Sequence, residues 1–301
     1  MKRLFILAAV VFALVPLQAQ RFRALSQLEL RMGVGISNSL SELGGANRIG
    51  THFYKDYEIA MTRPAANIGL RMYIPDSRWA GSFNISYARV AGRDNLTLDP
   101  YRENRNLNFR SPIVEFSVQG EYYFRKAQKG ARYAIREVVG SKNISMDWYV
   151  FAGIGGFWFN PKGQYNGNWY ALQPLSTEGQ GVVATRKQYR RFTGCIPIGL
   201  GGKYSINNNI SVGFEMGFRY TFTDYLDDVS TSYVDRTVLV NTKGTLAANM
   251  ADQSLNMQNG QTLAGEQRGD PRHKDVYMMM MFNVNYKFGS TKGAPRFFSI
   301  F

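Results

Sequence analysis

Apolar and polar residues alternate along most of this chain, in segments of strand length separated by polar, turn-prone stretches. Around Glu115 to Phe124, one parity carries Val114, Phe116, Val118, Tyr122 and Phe124, and the other carries Glu115, Ser117, Gln119 and Glu121. Successive side chains of a strand point to opposite faces, so this pattern predicts a strand with one apolar and one polar face. Ile210 to Phe222 repeats it, with Ile210, Val212, Phe214, Met216, Phe218, Tyr220 and Phe222 against Ser211, Gly213, Glu215, Gly217, Arg219 and Thr221. The same parity runs through Leu28 to Ile36, Ile68 to Ile74, Trp79 to Tyr87, Phe192 to Tyr204 and Met278 to Phe288. A glycine-rich segment with aromatics on both faces, Trp148 to Phe159, makes the eighth.

A soluble β-sandwich also alternates, but its apolar face would be an aliphatic core. Here that face is aromatic, above all at strand ends: Trp79, Tyr87, Phe124, Trp148, Trp158, Tyr204, Phe222, Tyr286 and Phe288. Aromatics at both edges of an outward apolar band are the girdles of membrane barrels, whose strands need roughly 9 to 11 residues to cross. The polar face is rich in small residues, such as Gly33, Gly69, Ser82, Gly199, Gly213 and Gly217. Small inward residues suit a narrow barrel interior that side chains must fill. The expected fold is therefore all-β: a transmembrane, antiparallel, up-and-down β-barrel of about eight strands with long extracellular loops.

The N-terminus fits an exported protein. Lys2 and Arg3 precede an apolar run from Leu4 to Val15, followed by Pro16, Leu17, Gln18 and Ala19. That is the layout of a cleaved secretory signal over residues 1–19, and the run falls short of the roughly 20 apolar residues of a membrane anchor. The barrel is expected over 20–288 and a tail over 289–301, in the outer membrane among its lipids. The lone cysteine, Cys195, excludes a disulfide framework within the chain. The formal net charge is +14, of which Lys2 and Arg3 supply two. In an exported chain this suits an anionic surface better than nucleic acid, and no nucleic-acid partner is expected.

Parity also assigns the strand charges. Glu29, Arg31, Arg71, Glu115, Glu121, Lys203, Glu215, Arg219 and Lys287 all face inward on this register. A single sign would suggest selective conduction. Both signs in near balance point instead to a paired network that plugs the lumen, because unpaired buried charge is expensive. The connection from about Arg125 to Ser145 is basic, with Arg125, Lys126, Lys129, Arg132, Arg136 and Lys142 against Glu137. It reads equally as a solvated loop and as a docking surface for an acidic periplasmic partner.

The outer loops are long: about 37–65, 91–111, 160–190 and 224–275. The last is functional or disordered by its length. It holds Arg268-Gly269-Asp270, a tripeptide associated with cell adhesion that is common by chance. Asp224, Asp227, Asp228 and Asp235 lack the spacing of a calcium loop and read as a solvated or turn-stabilising cluster. His52 and His273 both fall in outer loops, with Asp270 and Asp275 near the second, and nothing fixes them into a catalytic constellation. No Walker loop, HExxH or clustered Cys/His pattern occurs. A non-enzyme without cofactor, metal or small-molecule substrate is expected.

Several stretches carry a family resemblance. They are Phe218 to Ser230 with Tyr233-Val234-Asp235, Gln267 to Pro271 with Lys274-Asp275, and the closing strand to Tyr286-Lys287-Phe288. Tyr149 to Gly156, Pro161-Lys162-Gly163 and Trp169 to Gln180 belong with them. Together they resemble the PorG-like outer-membrane barrels of Bacteroidetes, over the C-terminal half by motif and over the N-terminal half by architecture. The resemblance implies a component of the type IX secretion system that contacts a periplasmic ring lipoprotein and its partner and anchors the ring at the outer membrane. The alternative is a stand-alone barrel acting as adhesin or narrow channel. The tail departs from the pattern, since Pro295-Arg296-Phe297-Phe298 add an aromatic extension.

Overall fold

The computed structural model describes residues 28–43, 59–97, 99–126, 146–255 and 262–288. Ten strands form one antiparallel sheet: β1 (Leu28–Leu40), β2 (Arg63–Tyr73), β3 (Trp79–Arg93), β4 (Asn108–Arg125), β5 (Asp147–Phe159), β6 (Lys162–Tyr165), β7 (Asn168–Ala171), β8 (Phe192–Ser205), β9 (Ile210–Thr221) and β10 (Val276–Lys287). Eight of them close into a barrel in the order β1-β2-β3-β4-β5-β8-β9-β10, and β10 pairs back onto β1. Closure leaves no edge of the eight-strand ring unpaired, which is the condition for a sheet to sit in hydrocarbon. The remaining two strands, β6 and β7, form a hairpin that continues β4 beyond the end of β5, with Arg110 opposite Lys162. Asn166 and Gly167 turn this hairpin with φ of 47° and 80°, the left-handed pair that a two-residue turn between twisted strands requires.

The outward face is apolar and uncovered. Val34 is 69 % exposed, Ile154 73 % and Phe282 73 %, at mid-height on three strands. Soluble monomers seldom expose contiguous apolar surface of this kind. Trp79 packs on Tyr122 at 4.9 Å and Trp148 on Phe214 at 5.7 Å near the end with short turns, here called the turn end. Tyr87, Trp158, Phe192 and Phe222 mark the other edge of the belt.

Several strands run further than alternation indicates, β3 and β4 the furthest. The β3–β4 ladder continues to Arg93 opposite Asn108, so the connection expected over 91–111 shortens to 94–107. Outward positions on this extension carry Arg89, Arg93 and Arg110, so the apolar alternation stops while the hydrogen-bonded ladder goes on. The segment expected over 224–275 as one long loop folds in part, with helices at Arg236–Lys243 and Thr245–Ala251. Asp235 is exposed and caps the first of them, accepting from the Thr237 amide at 2.7 Å.

Candidate functional site

Two polar assemblies stand out: one inside the barrel, the other in the cap built by the outer connections. Inside, the nearest layer to the turn end centres on Arg71. Its Nη1 donates to Glu29 Oε1 at 2.7 Å, its Nη2 donates to the Tyr149 hydroxyl at 3.0 Å, and its Nε lies 2.7 Å from Glu121 Oε2 as an ion pair. Lys203 Nζ donates to Glu29 Oε2 at 3.1 Å and to the Tyr73 hydroxyl. Arg31 donates to Glu215 and to Asn84 Oδ1, and the Tyr149 hydroxyl donates to Glu215 Oε2 at 2.8 Å. A Cβ on Gly201 would strike the Tyr149 ring, so the glycine opposite is what lets this tyrosine lie across the lumen.

One layer nearer the cap, Glu115 Oε2 accepts from Arg219 Nε at 3.2 Å and from the Tyr277 hydroxyl at 2.7 Å. Above it the lumen turns apolar, and Phe157, Phe159, Ile113, Val90, Met279 and Met281 form a core inside the barrel. Four acids (Glu29, Glu115, Glu121, Glu215) thus face four bases (Arg31, Arg71, Lys203, Arg219), and each of the eight is 0–7 % exposed. A water-filled channel would leave such groups wet. Lys287 differs: it is half-buried at the turn-end mouth, with Nζ 5.5 Å from the Tyr73 ring centroid. A cavity of about 200 Å³ opens at that mouth beside Lys203 and Lys287.

The cap is held by buried carboxylates that take backbone amides. Asp227 Oδ2 accepts from the Leu43 amide at 3.1 Å, and its Oδ1 accepts from Val229 at 3.0 Å. Asp275 Oδ2 accepts from the Leu226 amide at 2.9 Å, and Glu42 accepts from the Asp270 amide. Glu178 accepts from the Ser230 amide at 2.9 Å, from the Thr231 hydroxyl at 2.7 Å and from Arg268 Nη1 at 2.9 Å. Asp228 accepts from the Tyr189 hydroxyl at 2.6 Å, and Tyr189 stacks on Tyr225 at 4.6 Å.

Of the two readings of the acidic cluster, solvated or turn-stabilising, these facts favour the second for Asp224, Asp227 and Asp228. Asp224, Asp227 and Asp228 are 0–3 % exposed. Short polar residues in a glycine- and asparagine-rich stretch look solvated in sequence, yet here each carboxylate satisfies donors that folding the loop would otherwise bury alone. The Arg-Gly-Asp tripeptide is likewise not presented: Arg268 is 2 % exposed and its guanidinium is spent on Glu178 and on the Ala251 carbonyl. The stretches that carry the family resemblance, including Glu178, Asp224 to Ser230, Arg268 and Asp275, meet in this one cap.

Burial sets the cap's proton chemistry. It pushes the Glu42 carboxyl up to about 8, with the Asp227 charge adding to the effect. It raises Asp224 and Asp228 to about 7 each, and holds Asp275 well above the usual carboxylate range, with Asp227 and Asp224 repelling its charge. Among the described residues no group of His, Cys, Asp or Glu has the arrangement of a metal site. A cavity of about 790 Å³ lies beside the cap, lined by Glu42, Tyr101, Arg105, Asp270, His273 and Asp275 among others. His273 Nδ1 lies 2.9 Å from Asp270 Oδ2 at the surface, whereas Asp275 points away to Leu226. His52 lies outside the described residues.

At the turn end, Arg125 and Lys126 are exposed at the close of β4, and Lys126 Nζ donates to the Ser77 carbonyl. Lys129, Arg132, Arg136 and Lys142 lie outside the described residues, as do the leader and the tail.

Comparison with solved structures returns small barrels. The chain is similar to Neisserial surface protein A at 8 % identity and TM-score 0.35, covering 87 % of this chain and 97 % of that one. It is similar to Ail, the attachment invasion locus protein of Yersinia pestis, at 9 % identity and TM-score 0.34, covering 86 % and 97 %. It is similar to a major outer membrane protein from Thermus thermophilus at 10 % identity and TM-score 0.37, covering 87 % and 99 %. No curated protein matches the sequence. A family described as a domain of unknown function, DUF6089, matches residues 27–250, from the start of β1 through the second cap helix, and the chain belongs to that family.

Proposed function

We propose that this chain is a non-enzymatic barrel of a bacterial outer membrane that serves the type IX secretion system by anchoring its periplasmic ring complex. The observation that carries this reading is the filled lumen: eight charged residues in balance, all 0–7 % exposed, beneath an apolar core. A barrel filled in this way has its ends and its belt to work with. The exposed apolar belt supports residence in a bilayer. The resemblance of the cap-forming stretches to PorG-like barrels supplies the secretion role, and the basic segment that starts at Arg125 and Lys126 supplies a surface for an acidic periplasmic partner.

The test is a pull-down from detergent-solubilised outer membrane with and without residues 125–145, together with secretion of C-terminally tagged cargo in a deletion strain. Ring proteins should co-purify with the full chain and be lost with the segment, and cargo should stay in the periplasm. Normal secretion in the deletion strain sinks the proposal. That result favours the second reading, a stand-alone adhesin, for which the cavity of about 790 Å³ beside the cap is the supporting observation. The narrow-channel variant of that reading requires steady single-channel current in a planar bilayer, which the buried lumen charges oppose.

A further inference from the structure

The outer extension of β3 and β4 carries a one-sided collar of arginines, with Arg63 of β2 beside it. Arg89 pairs with Pro112, Ala91 with Arg110 and Arg93 with Asn108 across β3 and β4, so Arg89, Arg93 and Arg110 share the outward face. Arg63, at the start of β2, lies on the opposite parity and donates to the Ala60 and Thr62 carbonyls, with Arg93 and Arg89 as its charged neighbours, and Arg110 has Arg89. Like charges are thus gathered rather than dispersed. Among the described residues no carboxylate comes within ion-pair distance of these four. Asp94, next to Arg93 in the chain, is buried and taken by Arg105 at 2.7 and 2.9 Å.

The collar begins one step above Tyr87, at the rim of the apolar belt formed by Phe83, Ile85 and Tyr87 on β3 and Phe116 and Val118 on β4. At the same level the outward residues of the other barrel strands are uncharged (Trp158 on β5, Phe192 on β8, Phe222 beyond β9 and Val276 on β10), whereas Lys162 of the β6–β7 hairpin, opposite Arg110, adds a further cation beside the collar. The Arg110 guanidinium lies over the Trp169 ring at 3.9 Å. Stacking on an aromatic face holds the plane of a guanidinium and leaves its edge N–H groups free, the geometry that grips a phosphate with two parallel bonds.

We propose that this collar binds the phosphate groups of phosphorylated glycolipid in the outer leaflet, fixing a lipid against the β2–β4 face. The inference rests on the membrane placement argued above. Guanidiniums repelling one another at the rim of hydrocarbon are stabilised by an anion delivered at that depth, and a lipid headgroup arrives there with its acyl chains against the belt beneath.

The test uses the full mature chain in detergent, titrated with bis-phosphorylated lipid A, with the same lipid after dephosphorylation, and with inorganic phosphate alone. Retained lipid is counted by native mass spectrometry. Near a membrane surface each basic residue contributes about fivefold to binding of anionic lipid, so R89Q/R93Q/R110Q should lose about a hundredfold. The charge-matched control R236Q/K243Q/R272Q, on the exposed cap, should bind as the parent does. Heat-modifiable migration on gels verifies that each variant is a folded barrel. Equal binding by the collar variant, equal binding of dephosphorylated lipid, or full displacement by millimolar phosphate would each overturn the proposal. Fractionation of the parent chain separates the two ideas. A chain absent from the outer membrane that still binds lipid A sinks the placement, and a chain present there whose collar variant binds unchanged sinks the collar.

Discussion

Arg71 shows what a single residue does in this barrel. It touches Glu29, Glu121 and Tyr149 from a site 1 % exposed. Removing it takes the close cation from Glu121, which keeps Arg31 only at 3.8 Å, while Glu29 keeps Lys203 at 3.1 Å, and loss of one partner of a buried pair costs about 3–5 kcal/mol. Arg71→Ala should therefore lower the urea midpoint of the barrel in lipid by a corresponding amount, and adding Glu121→Gln should restore part of it. An unchanged midpoint would mean that water or relaxation replaces the pairing. Alternation assigns each residue a side, because strand side chains repeat every two positions. It says nothing about partners. Arg31 meets Glu215 across the lumen, and that meeting depends on strand register, stagger and side-chain length together. The cap residues Glu178 and Arg268 were illegible for another reason. Hydropathy counts polar residues as wet, and a carboxylate that folds a loop around itself breaks that rule.

At the scale of elements, the cap and the belt respond to different variables. The cap carboxyls Glu42, Asp224 and Asp228 have folded values of about 8, 7 and 7, above the ordinary carboxylate range. A group raised by folding binds its proton more tightly in the native state. Its stabilising contribution is present at acid pH and is lost as pH rises through the folded value. The groups facing them are Asp227, Asp275, Glu178, Arg105, Arg268 and Lys274. Amide protection factors, with the intrinsic base-catalysed rate divided out, should fall over the described part of 222–275 between about pH 6 and pH 9 while those of β1 to β5 hold, and Asp224→Asn should flatten the profile. Protection factors that are flat with pH in the parent would refute this. The belt answers to depth. Phe282, 73 % exposed at mid-height on β10, faces hydrocarbon if the chain is membrane-embedded, and Phe282→Arg should cost about 2–4 kcal/mol of folding in bilayers. The same change measured in water on a soluble protein would be close to neutral. The eight barrel strands were legible because apolar-out and polar-in coincide with the pleat. The β6–β7 hairpin and the tops of β3 and β4 were not, because beyond the belt no hydrocarbon selects apolar residues on the outward face.

For the whole molecule, the placement of charge follows the architecture. The lumen is balanced, the collar is positive on one side, and Arg125 and Lys126 stand at the turn end. A polar sequence with no long apolar run can still present a membrane surface, since the strands spread their apolar residues over one face of a closed sheet. That closure has a kinetic consequence. The seam joins the first strand to the last, from Glu29 opposite Lys287 to Leu40 opposite Val276. Every other pairing in the ring links barrel strands that follow one another in the chain, with only the β6–β7 hairpin intervening between β5 and β8, but this one joins residues across nearly the full contour length. An unclosed sheet has two bare edges, each competent to pair with the wrong chain. Of all the ring's pairings the seam therefore closes the longest loop and carries the largest closure entropy, so a variant that weakens it is expected to slow barrel closure more than one that weakens β2–β3.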